Sequence, residues 1–262
     1  MTSPSSGASF SPRPGAAPLP QQVLAQARME TRLLLRNGEQ LLLALVIPVL
    51  VLVGGVAGVE RVGVSLSRTA VDELTPGVLA LALMSTSFTS LAIATGFERR
   101  YGVLKRLGAS PLPRQGLLLG KVGSLLVVQA LQAVVIGAVG LLMGWSPEVT
   151  LRSVTGALAV TVLGTAAFAS LGLLVAGALR AEATLAVANL VYVLLAAGGA
   201  VVLPASAYGG WGEVVTWLPS GALGSGLREC FLRGTFPLSQ SLVLLLWAVV
   251  GTLATVRTFK WE

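Results

Sequence analysis

Apolar residues along this chain gather into long blocks separated by short charged segments. Six blocks contain no Asp, Glu, Lys or Arg: 41–59, 74–97, 122–145, 153–179, 183–212 and 234–256. A helix needs about 20 mostly apolar residues to cross the hydrocarbon of a bilayer, and each block is long enough. The fifth is longer than a span needs, and Pro204 followed by Tyr208, Gly209, Gly210 and Trp211 ends it near Leu203. The pattern predicts an all-α integral membrane protein with six transmembrane helices near 41–59, 74–97, 122–144, 154–179, 183–203 and 237–256.

Three segments fall outside these spans. Residues 1–20 are rich in Ser, Pro, Gly and Ala. They read as a disordered tail, since they lack the apolar core and cleavage site of a signal peptide. In residues 21–37, Arg28, Arg32 and Arg36 recur every four positions, while Leu24, Ala27, Leu34 and Leu35 fall mostly on the other side. A basic amphipathic helix of this kind is expected to lie in a membrane interface and break at Asn37-Gly38; a plain extension of the first span is the alternative. Segment 204–236 carries Pro204, Pro219, seven glycines and four charges, yet 214–218 and 227–232 stay apolar. It is too broken for a span and too apolar for an ordinary loop. Short re-entrant helices are expected there, because irregular backbone is tolerated at membrane depth where protein buries it; a partly disordered outer loop is the alternative.

Composition agrees: 54% of residues are hydrophobic and 11% charged, with a mean hydropathy of +0.83. A soluble domain carries roughly a quarter of charged residues. The net charge of +7 reflects an uneven distribution of basic residues and gives no reason to expect nucleic acid. With the amino terminus inside, thirteen of the eighteen Lys and Arg residues fall in cytoplasmic segments. This predicts cytoplasmic termini at both ends of a multi-pass protein. The abundance of Ala, Gly, Leu and Val with few lysines hints at a GC-rich bacterium, which places the protein in an inner membrane. There is no histidine, and the single Cys230 cannot form an internal disulfide.

The most informative segment is 97–121, FERRYGVLKRLGASPLPRQGLLLGK, with six basic residues and one acid. Positive-inside anchoring accounts for the charge but not for the order. Glu98, Arg99 and Arg100 stand where the second span ends, and Gly102 interrupts the helix. Val103, Leu104 and Leu107 then make a short amphipathic turn that Ser110-Pro111-Leu112-Pro113 stops.

Glu98, Arg99, Gly102, Leu104, Lys105, Arg106, Leu107 and the Ser-Pro-Leu-Pro turn resemble the cytoplasmic loop of the ABC-2 type transporter family, the membrane subunits of one group of ABC exporters. Leu218-Pro219, Leu227-Arg228, Phe231-Leu232 and Gly234 resemble the family's approach to its last span. The likeness covers roughly residues 20–262. It implies a coupling helix seated in a cleft of a separate ATP-binding subunit, present in two copies, with Glu98, Arg99, Arg100, Gly102, Leu104, Lys105, Arg106 and Leu107 as the coupling residues. It also implies a homodimer, or a heterodimer with a second permease, with ATP and Mg held by the partner and no cofactor on this chain. Family cargoes include drugs and antibiotics, lipids, and polysaccharides or lipid-linked glycans. Short outer loops and apolar spans favour a hydrophobic small molecule or lipid.

Other chemistry finds no support. Gly116–Gly120–Lys121 has three residues between its glycines where a phosphate loop needs four, and Val122 replaces the Mg-binding hydroxyl. Ser225 lacks a histidine base, and the lysines fall on the opposite side of the membrane. An ion-coupled carrier is expected to bury titratable groups in its spans, and the six blocks hold none except at edges such as Arg180 and Glu182. A channel is not excluded on this ground. The spans do carry polar residues: Ser85, Thr86, Ser87, Thr89, Ser90 and Thr95 on the second, Gln129 and Gln132 on the third, Asn189 and Tyr192 on the fifth. Interhelical hydrogen bonding is the simpler expectation. The functional alternative is a substrate path through Ser87, Ser90, Gln129, Gln132, Asn189 and Tyr192.

Overall fold

The computed structural model describes residues 17–62, 66, 68–108 and 113–258. Among these residues the ordered secondary structure is all helical, and six helices are long and apolar enough to cross a membrane. Helix α1 covers Leu19–Arg36, and the chain breaks at Asn37 before α2, Gly38–Val62. The second span is α3 (Ala70–Met84), a π-helical turn at Ser85–Ser90, and α4 (Leu91–Arg100). A short α5, Val103–Gly108, comes next. The third to fifth spans are α6 (Arg114–Leu142), α7 (Leu151–Ala178) and α8 (Ala181–Gly198). A 3-10 turn at Ala205–Trp211, α9 (Gly212–Thr216) and α10 (Pro219–Arg233) lead to the sixth span, α11 (Leu238–Thr258).

The second span is the hub of the bundle. Its Val78, Leu81, Met84, Phe88 and Ala92 are buried among Val160 and Phe168 of α7, Ala188 of α8 and Leu223 of α10. Around it α2, α8 and α11 leave most of their surface uncovered, as helices facing lipid do. The pattern is apolar inside and out, so shape and polar contacts must set which face turns inward.

Three boundaries differ from the sequence reading by four residues or more, and the largest difference is at the third span, expected from residue 122, whose helix α6 begins at Arg114. The second span is expected from residue 74, but α3 begins at Ala70, capped by Thr69, whose hydroxyl accepts from Asp72 N at 3.2 Å. That extra turn carries Asp72 and Glu73 into the packed bundle, where both are buried. Both stand just outside block 74–97, at the kind of edge where the sequence pattern places charges, yet packing draws them inside. Neither is an isolated charge. Asp72 accepts from Thr69 Oγ1 at 2.7 Å and from Ser146 N at 3.0 Å, and Glu73 pairs with Arg228 at 3.6 Å. The fifth span is expected to reach 203, and its helix stops at Gly198.

Beyond Gly198 the backbone is irregular, and Arg228 holds it in place. Its guanidinium donates to Glu73 O at 3.1 Å, to Val201 O at 2.9 Å, to Ala200 O at 3.4 Å and to Val202 O. A fork of fixed donors suits several carbonyls at once, which a lysine could not match. Gly77 on α3 makes this possible, since a Cβ there would strike Arg228 Nη2 and Val202 O.

Candidate functional site: the basic end of the bundle

Glu98, Arg99 and Arg100 close the second span, and each reaches a different neighbour. Glu98 Oε1 accepts from Lys121 Nζ on α6 at 2.7 Å. Lys121 is only 4% exposed and also donates to Glu30 Oε1 on α1, at 3.1 Å. Gln26 Nε2 donates to the same Glu30 oxygen at 2.9 Å. A buried ammonium is tolerable only with such partners. Two carboxylates surround one ammonium, and Glu98 Oε2 has no hydrogen-bond partner among the described residues.

Arg99 turns to the end of the fourth span. Its Nη1 donates to Gly177 O at 2.6 Å, and Nη2 to Leu179 O. These are carbonyls at the end of α7, where unsatisfied acceptors and the negative end of the helix dipole favour a cation. Arg100 pairs with Glu182, in the first turn of α8, across an exposed surface. Three consecutive residues thus grip α6, α7 and α8, because one helical turn points successive side chains about 100° apart.

The short helix beyond them faces outward. Gly102 adopts φ +68, a left-handed turn that redirects the chain by a route closed to most L-residues. Leu104 is buried and fastens α5 to the bundle. Lys105, Arg106 and Val103 are exposed, and Tyr101 is 63% exposed with its ring stacked on Phe97. Leu107 is half-buried. The stop signal at Ser110, Pro111 and Leu112 lies outside the described residues, while Pro113 begins α6. Of the four basic residues expected to meet a partner, Arg99 and Arg100 are thus occupied within the chain. Lys105 and Arg106 remain on the surface.

Lys121 and Glu30 belong to this site, and the sequence pattern does not single them out. It presents Lys121 only as an inner positive charge beside an incomplete phosphate-loop pattern, and Glu30 only as an acid between the arginines of α1. The position of Glu30 four residues after Gln26, which itself faces Gly120, is the available signal. Gly120 lets α1 approach closely, since a Cβ there would lie 2.5 Å from Gln26 Cγ. Consequently the buried side of α1 contains Gln26, while Leu24 and Leu35, expected on its apolar face, are exposed along with Arg28, Arg32 and Arg36.

The polar residues of the spans do not form one path. Gln132 is a strut: its Oε1 accepts from Thr86 Oγ1 at 3.0 Å and its Nε2 donates to Ala44 O at 3.0 Å. Ala44 O needs that donor because Pro48, four residues on in α2, has no N–H to offer. Ser87 is buried and spends its hydroxyl on Leu83 O at 2.6 Å. Ser90 is half-buried, Tyr192 bonds Ser85, and Asn189 is exposed on α8. Gln129 and Gln132 share a cavity, to which the other four do not contribute.

This architecture, six apolar helices with an exposed basic helix after the second, is that of a multi-pass membrane permease. The family model for ABC-2 type transporters matches residues 21–232, and the chain belongs to that family. It is an ABC transporter permease, of a family whose members generally partner with an ABC ATP-binding subunit. No curated protein matches the chain.

Proposed function

We propose that this chain is the membrane subunit of an ATP-driven exporter in a bacterial inner membrane, with both termini cytoplasmic. It moves a hydrophobic small molecule or lipid outward, powered by two copies of a separate ATP-binding subunit that hold the ATP and Mg. The observation that carries this reading is the division of labour in residues 98–107. Tyr101, Val103, Lys105 and Arg106 are exposed, while Glu98, Arg99 and Arg100 are committed to α6, α7 and α8. A partner pushing on α5 would move three spans through three adjacent residues. Surface charges at Lys105 and Arg106 would set the register of docking on acidic groups.

Two copies of the chain, or one copy and a related permease, enclose the path. Asn189 supports this, since it is exposed beside Leu190 and Val193 on a span that is mostly uncovered. An amide at membrane depth calls for a hydrogen-bonding partner that lipid tails do not offer. Helix α1 lies in the cytoplasmic interface, where its exposed arginines meet anionic headgroups and Leu24 and Leu33 meet acyl chains.

The test is co-purification with the ATP-binding chain encoded beside it, followed by ATPase measurement in nanodiscs. Charge reversal of both surface residues, Lys105→Glu with Arg106→Glu, should abolish capture of the ATP-binding chain while the permease stays in the membrane. Undiminished capture and stimulated ATPase in that variant would overturn the reading.

A further inference from the structure

We infer that the cleft between α6 and α7 is a binding site for an apolar molecule bearing a hydroxyl group, anchored by Gln129. A cavity of about 560 Å³ lies among α3, α6, α7 and α10. That volume falls within the roughly 300–1,000 Å³ of small-molecule sites. Leu83, Leu227 and Phe231 form its apolar floor, and Ala130 and Ala157 keep its walls apart by their small size. At its rim Leu158 and Val162 of α7 are exposed, so the cleft opens sideways, toward the lipid.

Gln129 sits at the centre of the apolar stretch Gly116–Leu142 and is 5% exposed. Its Nε2 has no partner among the described residues. Its Oε1 lies 2.9 Å from Thr165 Oγ1, but that hydroxyl has one proton and also lies 2.7 Å from Thr161 O. The carboxamide is therefore unsatisfied whichever way it is turned. Three residues on, Gln132 has both ends engaged, which separates a strut from a site. At the bilayer centre no water is at hand, and phospholipid ester groups sit half a membrane away. Bulk acyl chains fill the space without pairing the amide. The occupant must carry a polar atom deep on an apolar body. A hydroxyl both donates and accepts, so it meets the amide in either orientation.

The site goes beyond the exporter reading and is tested without ATP or a second subunit. The purified chain in nanodiscs is labelled with two photoactivatable probes, a long-chain diazirine alcohol and the diazirine alkane of equal length. The alcohol should label residues 126–133 and 154–162 preferentially, competed by unlabelled long-chain alcohol. Gln129→Leu should weaken that competition roughly two- to tenfold, the worth of one hydrogen bond, and leave alkane labelling unchanged. Ala157→Trp, which fills the cleft, should remove both. Equal labelling of the wild-type protein by alcohol and alkane would overturn the proposal, with no variant required. So would labelling spread evenly over the lipid-facing helices. Either result leaves the coupling role of α5 untouched.

Discussion

At one end of the bundle Lys121 is held by carboxylates from two other helices; at the other Arg228 is held by Glu73 and by the backbone carbonyls of residues 200–202. Both cations are nearly inaccessible, yet they fasten different things. Lys121 joins side chains on α1, α4 and α6, whose long stems can follow a relative shift. Arg228 grips main chain at several points and leaves little play. The partners differ as well: the Glu30 and Glu98 side chains keep 14% and 23% exposure, while Glu73 keeps 4%. The comparison separates a joint that can move from a clamp that cannot, and mutation should expose the difference.

The largest effect is expected at the clamp. Arg228→Met takes the guanidinium away from the buried Glu73 and from four backbone carbonyls, and breaking a buried pair in this way costs about 3–5 kcal/mol. Thermal unfolding in detergent should show a large drop, with less protein retained in membranes. Arg228→Lys should recover only part of it, since one ammonium cannot reproduce the fork. A wild-type melting curve for Arg228→Met would erase the distinction between the two ends.

At the joint, Lys121→Met leaves Glu30 and Glu98 facing each other. Their residual exposure lets water relieve them, so the loss should be nearer 2 kcal/mol. A double-mutant cycle sharpens the comparison. The coupling of Lys121 to Glu98, at 2.7 Å, should exceed its coupling to Glu30, at 3.1 Å. Transport should suffer more than stability, seen as ATP hydrolysis that continues with reduced export.

Gly102 ranks third. Its φ of +68 makes Gly102→Ala cost about 1 kcal/mol, although no atom lies near enough to clash with the new methyl group. Gly102→Asn should lose less, because Asn tolerates the left-handed region. If both variants export normally at wild-type levels in the membrane, α5 does not act as a lever.

The sequence pattern carried the class of fold and the location of α5, since both rest on composition and local order. Long apolar blocks point to spans, and Gly102, just past the charged end of the second span, marks a break in the helix. The internal wiring was not legible for a physical reason. In a soluble bundle the polar face of a helix shows which side is buried, but here the buried and lipid-facing sides are both apolar. Nothing in the order of residues 98–100 says that Arg99 meets the end of α7 while Arg100 meets α8. Likewise the burial of Glu73 depends on the fit of Gly77 against Arg228, some 150 residues later in the chain. The polar band was visible, but only packing distinguishes Gln132, which compensates for Pro48, from Gln129, which has no such task.

The smallest effect should come from Arg100. Its bond to Glu182 joins the second span to the fifth, as Arg99 joins it to the fourth, but the side chains are 50% and 64% exposed. Water already solvates both charges, and such pairs contribute about 0.2–1 kcal/mol. Arg100→Gln should leave melting within about 0.5 kcal/mol of wild type, a difference that shrinks further as salt is raised. Arg99→Gln provides the contrast, because it withdraws a cation from half-buried helix-end carbonyls that are less accessible to salt. Measuring both variants at low and high ionic strength then ranks the three grips of the second span. Equal salt sensitivity for Arg99 and Arg100 would mean that the α7 contact is as wet as the α8 contact. The transmission route would then rest on Glu98 and Lys121 alone.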